Sequence, residues 1–238
     1  MEPVTAAKIA VVIPTFNEAA AIGAVIRELP CDVARIIVAD GGSKDGTQAI
    51  ARAAGAMVID AGRGYGRACA AGVAAADDCD IVVLMDGDGA DRGDLLARIA
   101  GPVIAGTHDF VLATRTLGDR EPGAMAWHQV LAGRVAGFGM GAFYGTRYTD
   151  MCAYRAIRRD TLARLDMREM TYGWNIEMQM KAARAKLRIL EVPMPYRCRA
   201  GGQSKVAGSL RGTLHAGTRI VSTFFRVAVG KAAPGGTI

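Results

Sequence analysis

The stretch VVLMDGDGAD, Val82–Asp91, runs an apolar segment directly into three aspartates spaced by glycines and an alanine. Crowded carboxylates repel one another, so such a group is either a solvated polar turn or a site that shares a cation. What flanks the stretch decides between the two. Upstream, short apolar runs alternate with Ala-rich helical segments. KIAVVIPTF (8–16), ARIIVAD (34–40), MVID (57–60) and DIVVLMD (80–86) read as strands. NEAAAIGAVIREL (17–29), QAIARAAGA (48–56) and CAAGVAAADD (69–78) read as helices, with GGSKDGT (41–47) a turn and AGRGYGRA (61–68) a glycine-rich loop. Strands that are continuously apolar and separated by helices imply an α/β chain, a mostly parallel sheet with helices on both faces.

Ligands of such sheets bind beyond the carboxyl ends of the strands. Here those ends are polar: Thr15–Glu18, Asp40–Ser43, Gly62–Arg67 and Asp86–Asp91. Four loops are therefore expected to converge on one edge. The second half is less regular. DFVLATR (109–115) reads as a strand ending in Arg115, and LGDREPGA (117–124) as a loop. Residues 125–145 read as a glycine-rich helix, and 148–166 as a turn or short strand followed by a helix. NIEMQMKAARAKL (175–187) is a helix, RILEVPMPYRCRA (188–200) an extended segment and GGQSK (201–205) a flexible loop.

With 238 residues, 51% of them hydrophobic, the chain is long enough for a proper core. A net charge of +6 admits an anionic partner without choosing among nucleotide phosphates, anionic lipid and nucleic acid. Five scattered cysteines with no C-x-x-C pair argue against a disulfide framework or zinc site and for a reducing compartment. No signal-peptide pattern and no membrane span of roughly 18 apolar residues is expected.

Asp86 and Asp88 stand two apart at a strand end, which in an extended backbone points both carboxylates to one side. Such a pair suits Mg²⁺ or Mn²⁺, with a substrate diphosphate completing the coordination. The ion would neutralise a leaving diphosphate. Asp40 can accept hydrogen bonds from a nucleotide base or ribose, or cap the next helix; Glu18 can serve as a first-turn helix acid. GRGYGRACAAG (62–72) follows the third strand, not the first, with glycine spacing that does not fit a dinucleotide fingerprint. Arg63 and Arg67 meet phosphate at the helix start or face solvent.

Seven segments in order then resemble a family: VVIPTFNEAAAI, VADGGSKDGT, GYGRACAAG, VVLMDGDGAD, VLATR, TDMCAYRAIRRDTL and YRCRAGGQSK. From about Ile9 to about Val206 the chain is similar to family 2 glycosyltransferases, in the branch of dolichyl-phosphate mannose synthase and dolichyl-phosphate glucose synthase-like enzymes. The resemblance implies a GT-A fold over 1–207; outside it, the residues themselves read as a basic amphipathic helix at 208–229 and a flexible tail at 230–238. It implies inverting transfer of a hexose from a nucleotide diphosphate sugar to an acceptor, commonly a polyprenyl phosphate. Donor contacts are implied at Pro14, Phe16, Glu18, Val38 and Asp40, with Asp86, Gly87 and Asp88 holding metal and diphosphate. Arg115, Arg199 and Lys205 match basic residues near the donor and acceptor phosphates. Where many relatives carry a glutamine after the second aspartate this chain has Ala90, leaving Asp91 or water as a third ligand.

A phosphate acceptor needs no strong base, whereas a hydroxyl acceptor does. Asp150 is the first candidate to orient the acceptor or take its proton, Glu177 the second; His128 and His215 have no evident carboxylate partner. In the C-terminal helix, Arg211, His215, Arg219, Ser222 and Arg226 fall on one side. Leu210, Leu214, Ile220, Val221, Phe224, Phe225 and Ala228 fall on the other. That face can lie on an anionic bilayer or pack on the domain or another subunit. The expected setting is the cytoplasm, at the membrane face if the acceptor is a lipid; nucleic acid is not an expected partner, and a homo-oligomer is left open. Rival readings are transfer to a soluble hydroxyl compound, a nucleotidyltransferase, and a non-catalytic nucleotide-sugar-binding module. A nucleotidyltransferase needs a basic glycine-rich loop after the first strand, which IPTFNEAA lacks.

Overall fold

A computed structural model describes residues 7–201 and 210–230, the side chains of 210–216 excepted. The elements run β1 (Ile9–Thr15), α1 (Ile22–Glu28), β2 (Arg35–Asp40), α2 (Thr47–Ala53), β3 (Met57–Asp60), α3 (Tyr65–Ala74) and β4 (Ile81–Leu84). After a 3₁₀ turn come α4 (Leu96–Ile104), β5 (Phe110–Thr114), α5 (Trp127–Tyr144), β6 (Arg155–Arg158), α6 (Arg159–Arg164), α7 (Trp174–Arg184), β7 (Ile189–Pro193) and α8 (Leu210–Val229). The strands form one sheet in the order β3-β2-β1-β4-β6-β5-β7. Only β6 is antiparallel, pairing with β4 and β5. Strand order reverses at β1, whose neighbours are β2 and β4, and the loops after β1 and β4 flank that switch point.

Every residue of β1 and β4 is buried, because both faces of the sheet are covered. Ile9, Val11 and Ile13 pack with α1 and α4 residues such as Ile22, Val25 and Ile99. Ala10 and Val12 face the other way, toward Cys69 of α3 and Trp174 and Met178 of α7. Alternate side chains of one strand thus feed two cores.

Two elements differ from expectation, and a third, α4, occupies a segment for which no element was expected. α4 emerges from a segment that the Gly101–Pro102 pair would break; Leu96, Ile99, Ala100 and Val103 fall on one face and are buried, and that stripe carries the helix. α3 starts at Tyr65, inside the expected glycine-rich loop. Its first-turn amides are already occupied, since Gly66 N–H donates to Thr171 O and Arg67 N–H to Met170 O. The Gly66 and Arg67 amides are thus not open to a phosphate, which leaves the side chains of Arg63 and Arg67 as the groups that could meet one. In α8 the expected apolar face is split: Thr223 and Val227 are buried, while Val221 and Phe225 point outward. Thr223 Oγ1 donates to Glu169 Oε2 at 3.0 Å and Arg226 pairs with the same oxygen at 2.9 Å, which rotates the helix onto the domain.

Candidate active site

The loop after β2 is organised around Asp40, which is fully buried. Its carboxylate accepts from Thr15 Oγ1 (3.2 Å), Gly42 N (3.0 Å), Ser43 N (2.8 Å), Ser43 Oγ (2.5 Å) and Gln48 Nε2 (2.8 Å). Burial alone would raise its pKa; the Ser43, Gln48 and Gly42 donors outweigh that and hold the carboxyl below its ordinary value. Asp45 rather than Asp40 serves the start of α2, accepting from Thr47 N at 3.1 Å. After β1, Glu18 N–H donates to Thr47 Oγ1 at 2.9 Å, and the Glu18 carbonyl accepts from Ala21 and Ile22 to open α1.

β4 ends at Leu84, so Asp86 and Asp88 lie beyond the strand in a tight loop, not in its extended alternation. Gly89 (φ 82°) makes that loop possible in the left-handed region. Asp88 Oδ1 accepts from Ala90 N–H at 3.0 Å, closing the turn, and Oδ2 accepts from Arg199 Nη2 at 2.5 Å. Tyr65 Oη donates to Asp86 Oδ1 at 3.4 Å. Burial, and next the charge of Asp88, push Asp86 up to about 6. Asp91 sits behind them, 4% exposed, with Oδ2 accepting the Asp86 N–H at 3.2 Å. Burial, Asp86 and Asp88 push it up to about 8. Asp91 thus supports the loop from behind the pair, through the Asp86 amide. Among the described residues no group of three His, Cys, Asp or Glu is placed to hold a metal.

Arg115, just past β5, forms a two-pronged pair with Asp150. Nε donates to Oδ2 at 2.7 Å and Nη2 to Oδ1 at 2.8 Å. The Arg115 and Met151 amides add further donors to the same carboxylate. Burial alone would raise Asp150, yet the Arg115 guanidinium holds it below the usual range. A carboxylate so paired is a poor proton acceptor, and the geometry fits the orienting half of its expected role. Glu177 is not in the cleft: Oε2 accepts from the Arg168 and Glu169 amides, and Oε1 lies 3.2 Å from Lys181 Nζ. It fixes the 168–169 backbone.

These ends meet around a cleft of about 1050 Å³. Pro14, Phe16, Glu18, Asp86, Gly87, Asp88, Arg115, Asp150 and Arg199 line it. Val38 and Asp40 do not; Val38 packs with Ile22, Val25 and Ala51 in the core, and Asp40 is taken up by its turn. Lys205 lies outside the described residues, as does the His215 side chain. The wall also holds residues the sequence reading did not assign to the site or left unresolved: Arg63, stacked 3.9 Å from the Phe16 ring centroid, and Tyr65, His128, Tyr172, Asn175 and Tyr196. Among the described residues, buried His128 Nε2, Asn175 Oδ1 and Arg199 Nη1 have no hydrogen-bond partner. Arg63 and Tyr65 fall within a glycine motif that could have flagged them; His128 and Asn175 belong to no pattern.

A family model described as "Glycosyl transferase family 2" matches residues 10–166, more than half of the chain. The chain belongs to glycosyl transferase family 2. An uncharacterised glycosyltransferase of Mycobacterium tuberculosis is 35% identical over 212 residues, 87% of this chain and 93% of that protein. A dolichyl-phosphate hexose transferase of Haloferax volcanii is 35% identical over 198 residues, 81% of this chain and 84% of that one. Among solved structures, glucosyl-3-phosphoglycerate synthase of M. tuberculosis with Mn²⁺, UDP-glucose and phosphoglyceric acid superposes with a TM-score of 0.74. It is 23% identical and covers 97% of this chain and 83% of its own. The expected α/β, GT-A fold is thus the fold of this glycosyltransferase. The family match carries Asp86, Asp88, Arg115 and Asp150, while Arg199, α7 and α8 lie beyond it.

Proposed function

We propose that this family 2 glycosyltransferase moves a hexose, with inversion, from a nucleotide diphosphate sugar to a polyprenyl-type lipid phosphate, in a reaction that depends on Mg²⁺ or Mn²⁺. The observation that carries the reading is one cleft that brings Asp86 and Asp88 together with the cations Arg115 and Arg199. Two carboxylates, with no group of three ligands among the described residues, suit a hard cation whose remaining positions are filled by diphosphate and water. Burial first, and the charge of Asp88 second, raise Asp86, and a cation bound by the pair would offset both. Asp86 and Asp88 would hold the ion, which when bound supplies charge neutralisation for the departing diphosphate.

The chain's own groups do the rest. Arg199 holds Asp88 through Nη2, and its Nη1, unpartnered among the described residues, is offered to a diphosphate oxygen. Arg115, kept charged and in place by Asp150, faces the acceptor phosphate. Lys205 is a further candidate cation for this site. Phe16 and Arg63 offer a stacked surface for the nucleotide base. An acceptor phosphate is already ionised near neutral pH, in keeping with an Asp150 too well paired to act as base. The Haloferax relative's name supports the lipid phosphate.

A second reading has its own observation. His128 Nε2 is buried on the cleft wall without a partner, and a hydroxyl acceptor could give its proton there. The test is release of nucleoside diphosphate over a panel of nucleotide sugars, with Mg²⁺ or Mn²⁺, and with polyprenyl phosphate or hydroxyl compounds as acceptor. The expected result is transfer to the lipid phosphate that Asp88→Ala abolishes with the fold retained. Full activity of that variant sinks the metal assignment. Transfer to hydroxyl compounds alone, lost in His128→Phe, sinks the lipid acceptor.

A further inference from the structure

In a water-exposed helix the large apolar side chains face the core and the small or polar ones face out. α5 inverts this order. Its buried face carries Gly133, Gly137 and Met140, and the helix lies so close to the next segment that a Cβ at Gly137 would stand 1.8 Å from Tyr148 O. Its bulk points outward: Trp127, Leu131, Val135 and Phe138 form one exposed stripe, with Phe138 66% exposed. α8 continues the surface. Phe143 of α5 meets Phe224 of α8 edge to face at 5.7 Å, and beyond that seam Val221, Phe225 and Val229 are exposed, Phe225 at 60%. Contiguous apolar surface of this kind marks an interaction site.

We propose that the joint face of α5 and α8 docks on an anionic lipid bilayer. Charge selects this occupant. Residues 122–149, which contain α5, hold no Asp or Glu, and neither do residues 192–238, which contain α8. Arg134, Arg147 and Arg219 are exposed on these segments. A second copy would bring the same cations face to face, whereas an anionic leaflet complements them while the aromatic stripe enters the headgroup boundary. The cleft supplies a second reason, which rests on the reading of a lipid phosphate acceptor. Ala132 of α5 and Gly217 and Ile220 of α8 line the same cleft as Asp88 and Arg115. A phosphate can thus reach Arg115 from the side that faces the bilayer, with its hydrocarbon chain remaining in lipid.

The test mixes the full chain with phosphatidylcholine vesicles, with and without phosphatidylglycerol. Binding is read by co-sedimentation and by tryptophan emission. Trp127 is 76% exposed and Trp174, the other tryptophan, 2%, so a blue shift reports on α5. Binding is expected only with phosphatidylglycerol, weaker at high salt. Phe138→Glu with Phe225→Glu should weaken it about tenfold or more. Nucleoside diphosphate release with a short-chain, water-soluble acceptor phosphate should not change. Phe138→Leu with Phe225→Leu should bind as the parent does, and matched far-UV spectra guard against misfolding. Absence of vesicle binding overturns the proposal, as does binding that the glutamates leave intact. A dimer that Phe138→Glu dissolves, with no vesicle binding, overturns it in favour of a second copy. If vesicles are bound but no sugar reaches a lipid phosphate, the acceptor reading fails and the docking surface stands. If detergent-dispersed lipid phosphate is glycosylated without vesicle binding, the docking surface alone fails.

Discussion

Replacing Asp91 by asparagine should stabilise the protein, by an amount that grows with pH. Asp91 is buried behind Asp86 and Asp88, and that environment lifts its pKa from 3.8 to about 8. Between those values the folded chain keeps a proton that the unfolded chain gives up. Stability is therefore fully present below the unfolded value and is lost as pH rises through the folded one. One such group contributes a slope of about 1.4 kcal/mol per pH unit, or about 3 kcal/mol between pH 5 and pH 7. Asparagine keeps an oxygen for the Asp86 N–H, now donated to Asp91 Oδ2 at 3.2 Å, and removes the titration. The assay is urea unfolding of both proteins at pH 5, 6 and 7 in the presence of a chelator, so that no cation biases the loop. The stability difference in favour of Asp91→Asn should widen with pH. A difference that stays constant, or narrows, refutes a protonated Asp91.

Arg115→Met leaves the buried Asp150 carboxylate, 2% exposed, without its cation; it should cost about 3–5 kcal/mol, measurable by denaturant titration. Asp40→Asn turns an amide NH₂ donor toward the Ser43 and Gln48 donors and should cost about 1–3 kcal/mol in the same assay. An unchanged midpoint would mean that the turn does not depend on this carboxylate. Gly101→Ala, in α4 where an added Cβ meets nothing within 4 Å, should stabilise by about 0.5–1 kcal/mol, seen as a raised thermal midpoint.

β1, β2 and β4 were legible because burial on both faces forces continuous apolar runs, and the polar ends of the first four strands named the loops of the cleft. β6 was legible only as a turn or short strand within 148–166, and its buried charge was not legible at all: Arg155 is fully buried. Its guanidinium donates to the carbonyls of Ala153 and Asn175 and to that of Cys152, and lies 5.8 Å from the Phe110 ring centroid. No local pattern reports that a charge will be taken up by carbonyls from another element. The same limit applies inside the cleft. Asp86 and Asp88 are neighbours in sequence, but the Arg115–Asp150 pair joins residues 35 apart, and His128 and Asn175 enter through helices with no motif of their own. The burial of Val38 and Asp40 follows from sheet packing and turn closure, which a residue-by-residue match does not weigh.

The segment that brings in Arg199 is fastened to the acidic loop at more than one point. Ala200 N–H donates to the Asp88 carbonyl and Arg197 N–H to the Ala90 carbonyl, while the Arg197 side chain reaches the Asp91 carbonyl and Glu28. Acidic loop and basic segment are thus laced into one mechanical unit. A disturbance at position 88 travels along that lacing to the cation meant for the diphosphate. Asp88→Ala and Asp88→Asn consequently ask different questions, since asparagine offers an oxygen for Arg199 and alanine unties it. Comparing the two separates the loss of a negative charge from the loss of a fastening.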